Sequence, residues 1–123
     1  MHELSIAATI VEVAAEHARD AGGRVAEVTL RVGRLACLQE EALRFGFGLV
    51  AAGTPLEGAR LSVVDVPVRI WCSTCAAEAE LPGIQKFACP RCGHPSGDLR
   101  AGRELEIESI LIETLTPPRS EPP

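Results

Sequence analysis

The feature that most constrains this chain is a pair of Cys-x-x-Cys motifs, one formed by Cys72 and Cys75 and the other by Cys89 and Cys92, with thirteen residues between them. Each motif turns two thiolates toward one point, and Zn²⁺ accepts four sulfur ligands in a tetrahedral arrangement. The spacing therefore predicts one zinc ion bound by these four cysteines. Because such a site has no open coordination position, we expect it to be structural and not catalytic.

A thiol-disulfide enzyme is one alternative interpretation of the same motifs. Redox dithiols seldom occur as two matched motifs, and such an enzyme needs an exposed thiol of low pKa with a resolving partner. The fifth cysteine, Cys37, lies outside both motifs in an apolar loop, where we expect a buried and unreactive thiol. These considerations favour a metal site.

A zinc-ribbon module that recognises nucleic acid or a protein partner is the second alternative. Nucleic-acid binding needs a surface of lysine and arginine, usually with aromatic side chains for stacking. The 123 residues include 12 basic and 17 acidic side chains, one Trp, three Phe and no Tyr, and the formal net charge is -5. The acidic balance and the scarce aromatics argue against this interpretation.

The chain shows none of the usual signals for membrane insertion or export. No stretch approaches 18 uninterrupted apolar residues, and the N-terminus lacks the basic-then-apolar layout of a signal peptide. We therefore expect a cytoplasmic protein without a membrane partner, in a compartment that keeps thiols reduced and available for metal.

Helical spacing of apolar residues occurs twice, and it predicts helices from about residue 4 to 21 and from about residue 40 to 53. Gly46 and Gly48 lie inside the second helix, where close packing against a neighbouring backbone would explain them. The predicted apolar stripes are Leu4, Ala8, Val11, Ala15 and Ala18, flanked by Ala7, Ile10 and Ala14, in the first helix, and Leu38, Ala42, Phe45 and Leu49 in the second.

Alternating apolar residues predict three strands, at residues 24–33, 60–71 and 103–113, and a turn-rich return at 97–102. Pro67 marks either an edge position or the point where the chain leaves the sheet for the zinc module. The element order predicts an α/β fold in which two helices pack on a three-stranded mixed sheet, with an inserted zinc-ribbon module. We expect residues 1–70 plus 100–115 to form the α/β domain, 71–99 the zinc module and 116–123 a disordered tail.

The N-terminus offers a second set of metal ligands. A single histidine near a terminus is usually solvated, and for His17 we expect a solvated or capping side chain. With His2, however, a free terminal amine, the following backbone amides and the imidazole can form adjacent chelate rings around one ion. Such an all-nitrogen planar set suits Ni(II) or Cu(II) better than zinc. A zinc-side role for His94, two residues after Cys92, is not expected.

Several of these motifs together resemble the HypA/HybF family of hydrogenase nickel-incorporation proteins. The similarity rests on the opening Met1-His-Glu-Leu-Ser5, a strand ending in Val32-Gly33, Trp71 directly before the first cysteine motif, and the second motif written Cys89-Pro-x-Cys-Gly93. It covers nearly the whole chain except the tail, and the combination is specific where either half alone would be ambiguous.

The resemblance implies a metallochaperone that is not an enzyme, with nickel as its cargo at Met1, His2 and Glu3 and a structural zinc at the four motif cysteines. It also implies partners: the [NiFe]-hydrogenase large subunit as recipient, a GTPase of the same maturation pathway and, in some bacteria, urease maturation proteins. Glu3 would contribute its backbone amide, its carboxylate or only contacts to the other ligands, and the sequence does not decide among these.

Overall fold

The computed structural model describes residues 3–114, so Met1, His2 and the predicted tail at 116–123 lie outside the described residues. Two helices, six strands and one 3-10 turn make up this part of the chain. They are α1 (Glu3–Ala21), β1 (Gly23–Gly33), a 3-10 turn (Arg34–Ala36), α2 (Glu40–Ala51), β2 (Arg60–Val66), β3 (Arg69–Cys72), β4 (Ala77–Glu80), β5 (Leu99–Ala101) and β6 (Leu105–Thr114).

The first sheet has the strand order β2-β1-β6. β6 runs antiparallel to β1. Gly23, the first residue of β1, lies against Glu113 near the end of β6, whereas Gly33, the last residue of β1, bonds to Glu104 just before β6 begins. A Cβ at Gly23 would collide with the carbonyl oxygen of Glu113, and the amide of Gly33 donates to the carbonyl of Glu104 at 2.6 Å. Only glycine permits this approach of two backbones.

β2 runs parallel to β1 on the other side. The hydroxyl of Ser62 hydrogen-bonds to the Glu27 carboxylate, and Arg34, directly after β1, donates to Asp65 at 3.1 Å, so the pairs advance in the same direction along both strands. The sheet is therefore mixed, as predicted, and α2 forms part of the crossover between its parallel strands.

The two helices pack against each other, and on α2 the buried face differs from the one that the periodicity predicted. On α2 the buried apolar residues are Leu43, Phe47 and Ala51, whereas Phe45 is 71% exposed and Leu49 is 57% exposed. The predicted stripe on α2 is therefore wrong. On α1 the predicted stripe is correct in part, since Leu4 and Ala8 are exposed. The buried residues of α1 are Ala7, Ile10, Val11, Ala14, Ala15 and Ala18, which include all three flanking residues.

Gly46 explains which face of α2 packs. A Cβ at this buried position would lie 3.2 Å from Leu4 Cδ1 and 3.6 Å from Ala7 Cβ, so glycine allows the two helices to approach closely. Gly48 is exposed and has open space around its missing side chain, so the packing reason expected for both glycines applies to Gly46 alone.

The predicted strand at 60–71 is two strands in two different sheets. β2 ends at Val66, Pro67 supplies no N-H to a ladder, and β3 begins at Arg69. Of the two roles expected for Pro67, the exit toward the cysteine motifs is the one that explains this break. The second sheet has the order β4-β3-β5 with both pairings antiparallel, and β5 lies within the segment expected to be only turns.

The chain divides into two compact units. One contains Arg31–Leu38 and Val63–Glu106, and includes the second sheet and all four motif cysteines. The other contains residues 3–30, Gln39–Ser62 and residues 107–114, and includes both helices. Among residues 3–114, neither helix combines the length and the apolar composition needed to cross a membrane.

Candidate metal centre

The first cysteine motif is built on the β3–β4 hairpin. Cys72 is the last residue of β3 and is paired in register with Ala77, the first residue of β4. The turn between them carries Cys75, whose amide lies 3.4 Å from Cys72 Sγ, and Ala76, which adopts a left-handed conformation with φ 52°. The ladder on both sides of the turn therefore fixes where the first two sulfurs point.

The second motif lies in irregular chain held by a few backbone hydrogen bonds. The amide of Cys89 donates to the carbonyl of His94 at 2.9 Å, and the amide of Gly93 donates back to Cys89 at 2.7 Å. A single bridge between Ala88 and Pro95 flanks this turn. Gly93 has φ 78°, so it repeats the left-handed position that follows the first motif.

The four sulfur atoms form one cluster in which every Sγ lies within 4.8 Å of the others. Cys72 Sγ and Cys92 Sγ are 3.5 Å apart, and Cys75 Sγ and Cys89 Sγ are 3.9 Å apart. A tetrahedral zinc ion with Zn–S bonds of about 2.3 Å requires sulfur-sulfur separations of about 3.8 Å. The cluster therefore has the composition and the dimensions of a four-sulfur zinc site.

The cluster has a buried side and an exposed side. Cys72 and Cys89 are buried, whereas Cys75 and Cys92 are exposed. The buried sulfurs belong to the hydrophobic core of this unit, which consists of Val68, Ile70, Cys72, Ala79, Leu81 and Cys89, with Leu35 and Leu99 packed against it. The core thus anchors one ligand from each motif.

The electrostatics of the cluster favour a bound cation. The amides of Cys92 and Arg91 donate to the sulfur of Cys89 and lower the pKa of its thiol to about 6. Hydrogen bonding with the sulfurs of Cys92 and Cys89 raises the pKa of Cys75 to about 12. One thiol therefore ionises readily, while the crowding of sulfurs opposes ionisation of another. A divalent cation removes this conflict, because it stabilises all four thiolates together.

Arg91 is a residue of this site that the sequence reasoning missed. Its guanidinium interacts with Cys89, which raises the pKa of the arginine, and its Nη2 lies 3.3 Å from the carbonyl oxygen of Glu78 on β4. The side chain thus joins the second motif to the strand that follows the first. Its position between Cys89 and Cys92 was the sequence feature that could have identified it.

The fifth cysteine and the two internal histidines have other surroundings. Cys37 is exposed, so the expectation of a buried thiol is wrong. It follows the 3-10 turn with φ 53°, and its sulfur lies 3.8 Å from the carbonyl of Arg34. His94 contributes its backbone carbonyl near the second motif, and its side chain is exposed. His17 is exposed on α1.

Of the three predicted nickel ligands, only Glu3 falls within residues 3–114. It is the first residue of α1, and its Oε2 accepts a hydrogen bond of 3.0 Å from the amide of Gln39. Gln39 is the N-cap of α2 and makes no cap with its own side chain. The Glu3 carboxylate therefore caps α2, where the orphan amides of a helix start favour a negative charge.

Comparison of the sequence with known proteins identifies its family. A family model described as "Hydrogenase/urease nickel incorporation, metallochaperone, hypA" matches residues 1–112. The hydrogenase maturation factor HypA of Chloroflexus aurantiacus is 48% identical over 93% of this chain and 99% of its own length, and that of a Roseiflexus species is 45% identical over 95% and 96%. The chain belongs to the HypA family of nickel-incorporation metallochaperones.

Solved structures share the fold. The solution structure of the nickel metallochaperone HypA from Helicobacter pylori superposes with a TM-score of 0.63 at 18% identity, covering 93% of this chain and 99% of that one. A second solution structure of a HypA protein gives a TM-score of 0.66 at 20% identity, covering 92% of this chain and 97% of the other. These neighbours support the two-helix architecture.

Proposed function

We propose that this chain binds Ni(II) at Met1, His2 and Glu3 and delivers it during hydrogenase maturation, while Cys72, Cys75, Cys89 and Cys92 hold a structural Zn²⁺. The observation that carries the proposal is the extent of the family match, which begins at residue 1 and so includes both the opening motif and the cysteine motifs. The zinc assignment is supported by four sulfurs spaced for a tetrahedral ion.

The proposed nickel site uses the chemistry of a free chain end. The terminal amine, the amides of the next residues and the imidazole of His2 supply nitrogen atoms in the planar arrangement that Ni(II) prefers. The carboxylate of Glu3 is already engaged by the amide of Gln39. We therefore assign the backbone amide of Glu3 to the metal and its carboxylate to holding α2.

The proposed recipient is the [NiFe]-hydrogenase large subunit, reached with a GTPase of the same maturation pathway, in the cytoplasm. The curated relatives are named hydrogenase maturation factors, and the family description includes urease, which makes urease maturation proteins the second class of partner. The chain carries cargo and catalyses no reaction, and the proposed zinc site, closed by four sulfurs, agrees with a purely structural ion.

The test compares the untagged protein with a variant that has two residues added before Met1 and with His2→Ala. The extension converts the terminal amine into an amide, so nickel affinity measured by calorimetry should fall at least about tenfold in both variants, the scale of losing one ligand or its support. The same two residues added after Pro123 are the matched control and should leave nickel binding unchanged. Zinc content by elemental analysis should stay at one ion per chain in all of them.

Equal nickel affinity in the untagged, extended and His2→Ala proteins would move the nickel site away from the N-terminus. Zinc that remains fully bound after the combined change Cys72→Ala and Cys89→Ala would remove the zinc assignment.

A further inference from the structure

The helical unit exposes an apolar face that its own core does not use. Phe45 is 71% exposed, Leu49 is 57% exposed and Leu4 is 53% exposed. Phe45 and Leu49 lie one turn apart on α2, and Leu4 lies against Gly46 next to Phe45, with its Cδ1 3.2 Å from where a Cβ would be. We call these three exposed apolar side chains the Phe45 face, and exposed apolar side chains that lie close together mark protein contacts.

The Phe45 face lies in an acidic environment. The described residues of its unit carry ten acidic side chains and four arginines. Three of these arginines are already engaged: Arg24 donates to the carbonyl of Glu57, Arg44 pairs with Glu40, and Arg60 pairs with Glu27.

The acidic residues nearest the Phe45 face follow its two helices. Glu41 is exposed one turn before Phe45 on α2, and Glu12 is exposed two turns after Leu4 on α1. A partner of matching chemistry therefore presents an apolar pocket bordered by lysine or arginine.

The same charge distribution disfavours two other occupants. A second copy of this chain would bring acidic borders together across a two-fold axis, since an isologous contact places the same surface on both sides. Nucleic acid would meet a unit whose described acidic side chains outnumber its arginines. A basic protein surface is the remaining match.

The position of the Phe45 face, next to the first residues of the chain, indicates which basic partner would bind there. Leu4 directly follows the three residues to which nickel binding is assigned, and Glu3 is held to the start of α2 through Gln39. A protein seated on this face would have its own groups beside the chain terminus.

We propose that the Phe45 face is the docking surface for the protein that receives the nickel, which binds it through an apolar pocket bordered by basic side chains. This inference rests on the proposed function, because it takes the N-terminal residues as the nickel site. Docking at Leu4, Phe45 and Leu49 brings the recipient's ligands to the metal and makes transfer a short exchange within one complex. The face acts in recognition and binds no metal itself.

The test measures binding of the purified, nickel-free precursor of the hydrogenase large subunit to the full chain by biolayer interferometry. Phe45→Glu and Leu49→Ser should each weaken the complex at least about tenfold, as expected for anchors in an interface. Leu111→Ser is the matched control, because Leu111 is 55% exposed on β6 of the same unit, and it should change affinity less than about twofold. Glu41→Lys should slow association about threefold, and raising salt should slow it in the original protein but less in this variant.

Calorimetry with NiCl₂ separates the possible failures. The four surface variants should bind nickel like the original protein, since none alters residues 1–3. A complex that Phe45→Glu and Leu49→Ser leave intact would overturn the docking face and leave the proposed function standing. No complex between the original protein and the precursor would overturn the proposed delivery, and the face with it. A self-dimer that Phe45→Glu converts to monomer in sedimentation would instead assign the face to a second copy.

Discussion

The two cysteine motifs contribute equally to the sulfur cluster but are supported differently. The first continues a four-residue antiparallel ladder between β3 and β4, with Cys72 in register with Ala77. The second is held by short backbone hydrogen bonds and one bridge, and its turn passes through Gly93. The ladder of the hairpin supports the first pair of sulfurs, whereas fewer backbone hydrogen bonds surround the second pair. We therefore expect the order of the second pair to depend more on the metal.

Removal of the metal should have the largest effect and should affect the second motif more than the first. Structural zinc supplies on the order of 10 kcal/mol of folding free energy in small modules. After chelation, the amides of Cys89, Gly93 and Ser96, whose hydrogen bonds join residues 87–96 around the second motif, should lose protection from hydrogen exchange. The amide of Leu81, which donates to Val68 beyond the hairpin, should keep protection within about tenfold.

Hydrogen exchange with mass spectrometry provides this measurement, and Val25, which donates to the carbonyl of Pro55 in the other unit, is the internal control. Equal loss of protection in both motifs would show that the hairpin also requires the metal.

The buried and exposed cysteines should differ once the metal is gone. In metal-free protein, Cys72→Ala removes a sulfur from the hydrophobic core and should lower the free energy of unfolding by about 1–2 kcal/mol. Cys92→Ala removes an exposed sulfur and should cost less than about 0.5 kcal/mol. Urea denaturation in the presence of a chelator measures both, and equal costs would contradict the burial argument.

Arg91 should contribute to zinc binding through the second motif and its link to β4. Arg91→Ala removes a cation beside Cys89 and the link to Glu78, so competition with a chromogenic chelator should show zinc affinity reduced about tenfold. Arg91→Lys should recover part of this loss because it keeps the charge. The control is Arg100→Ala, whose guanidinium is bound to Asp98 at 3.0 Å, and its zinc affinity should match that of the original protein. If Arg100→Ala lowered zinc affinity as much as Arg91→Ala, the loss would come from the change in net charge and not from the contacts of Arg91.

Substitutions at the residues that follow the two motifs should change stability in opposite directions. Ala76 and Gly93 both have positive φ, a conformation that costs alanine roughly 1 kcal/mol. Gly93→Ala should therefore destabilise the zinc-loaded protein by about 1 kcal/mol. Ala76→Gly should be neutral or stabilise it by up to about 0.5 kcal/mol, since glycine also loses more entropy on folding. Thermal unfolding of the two variants compares them directly.

The spacing of residues in the sequence predicted the features that depend on contacts between residues close together in the chain. α1 runs from Glu3 to Ala21 against an expected 4–21, and the mixed three-stranded sheet was deduced from the order of elements. The gathering of four sulfurs also follows from local spacing, because each pair is oriented by its own turn. The domain division at 71–99 and the nickel ligation by residues 1–3 stay predictions.

The errors have physical causes in longer-range contacts. α2 carries apolar residues on two faces, and only its approach to α1 at Gly46 determines that Phe47 is buried and Phe45 exposed. β5 has three residues, too few to show a period, and it exists because β3 offers it an edge. Cys37 was assigned by the apolar character of its neighbours, whereas a left-handed turn end placed it at the surface.

The hydrogen bond from Gln39 to Glu3 connects the chain terminus to a helix that carries exposed side chains. A helix cap of this kind contributes typically about 1 kcal/mol, which is roughly a fivefold change in an equilibrium constant. Any ligand that draws the Glu3 carboxylate away must overcome that free energy, and by reciprocity a stiffer α2 start weakens that ligand to the same extent. Ligand binding at the Glu3 carboxylate and the order of the beginning of α2 are therefore thermodynamically linked. A change in one should produce a measurable change in the other.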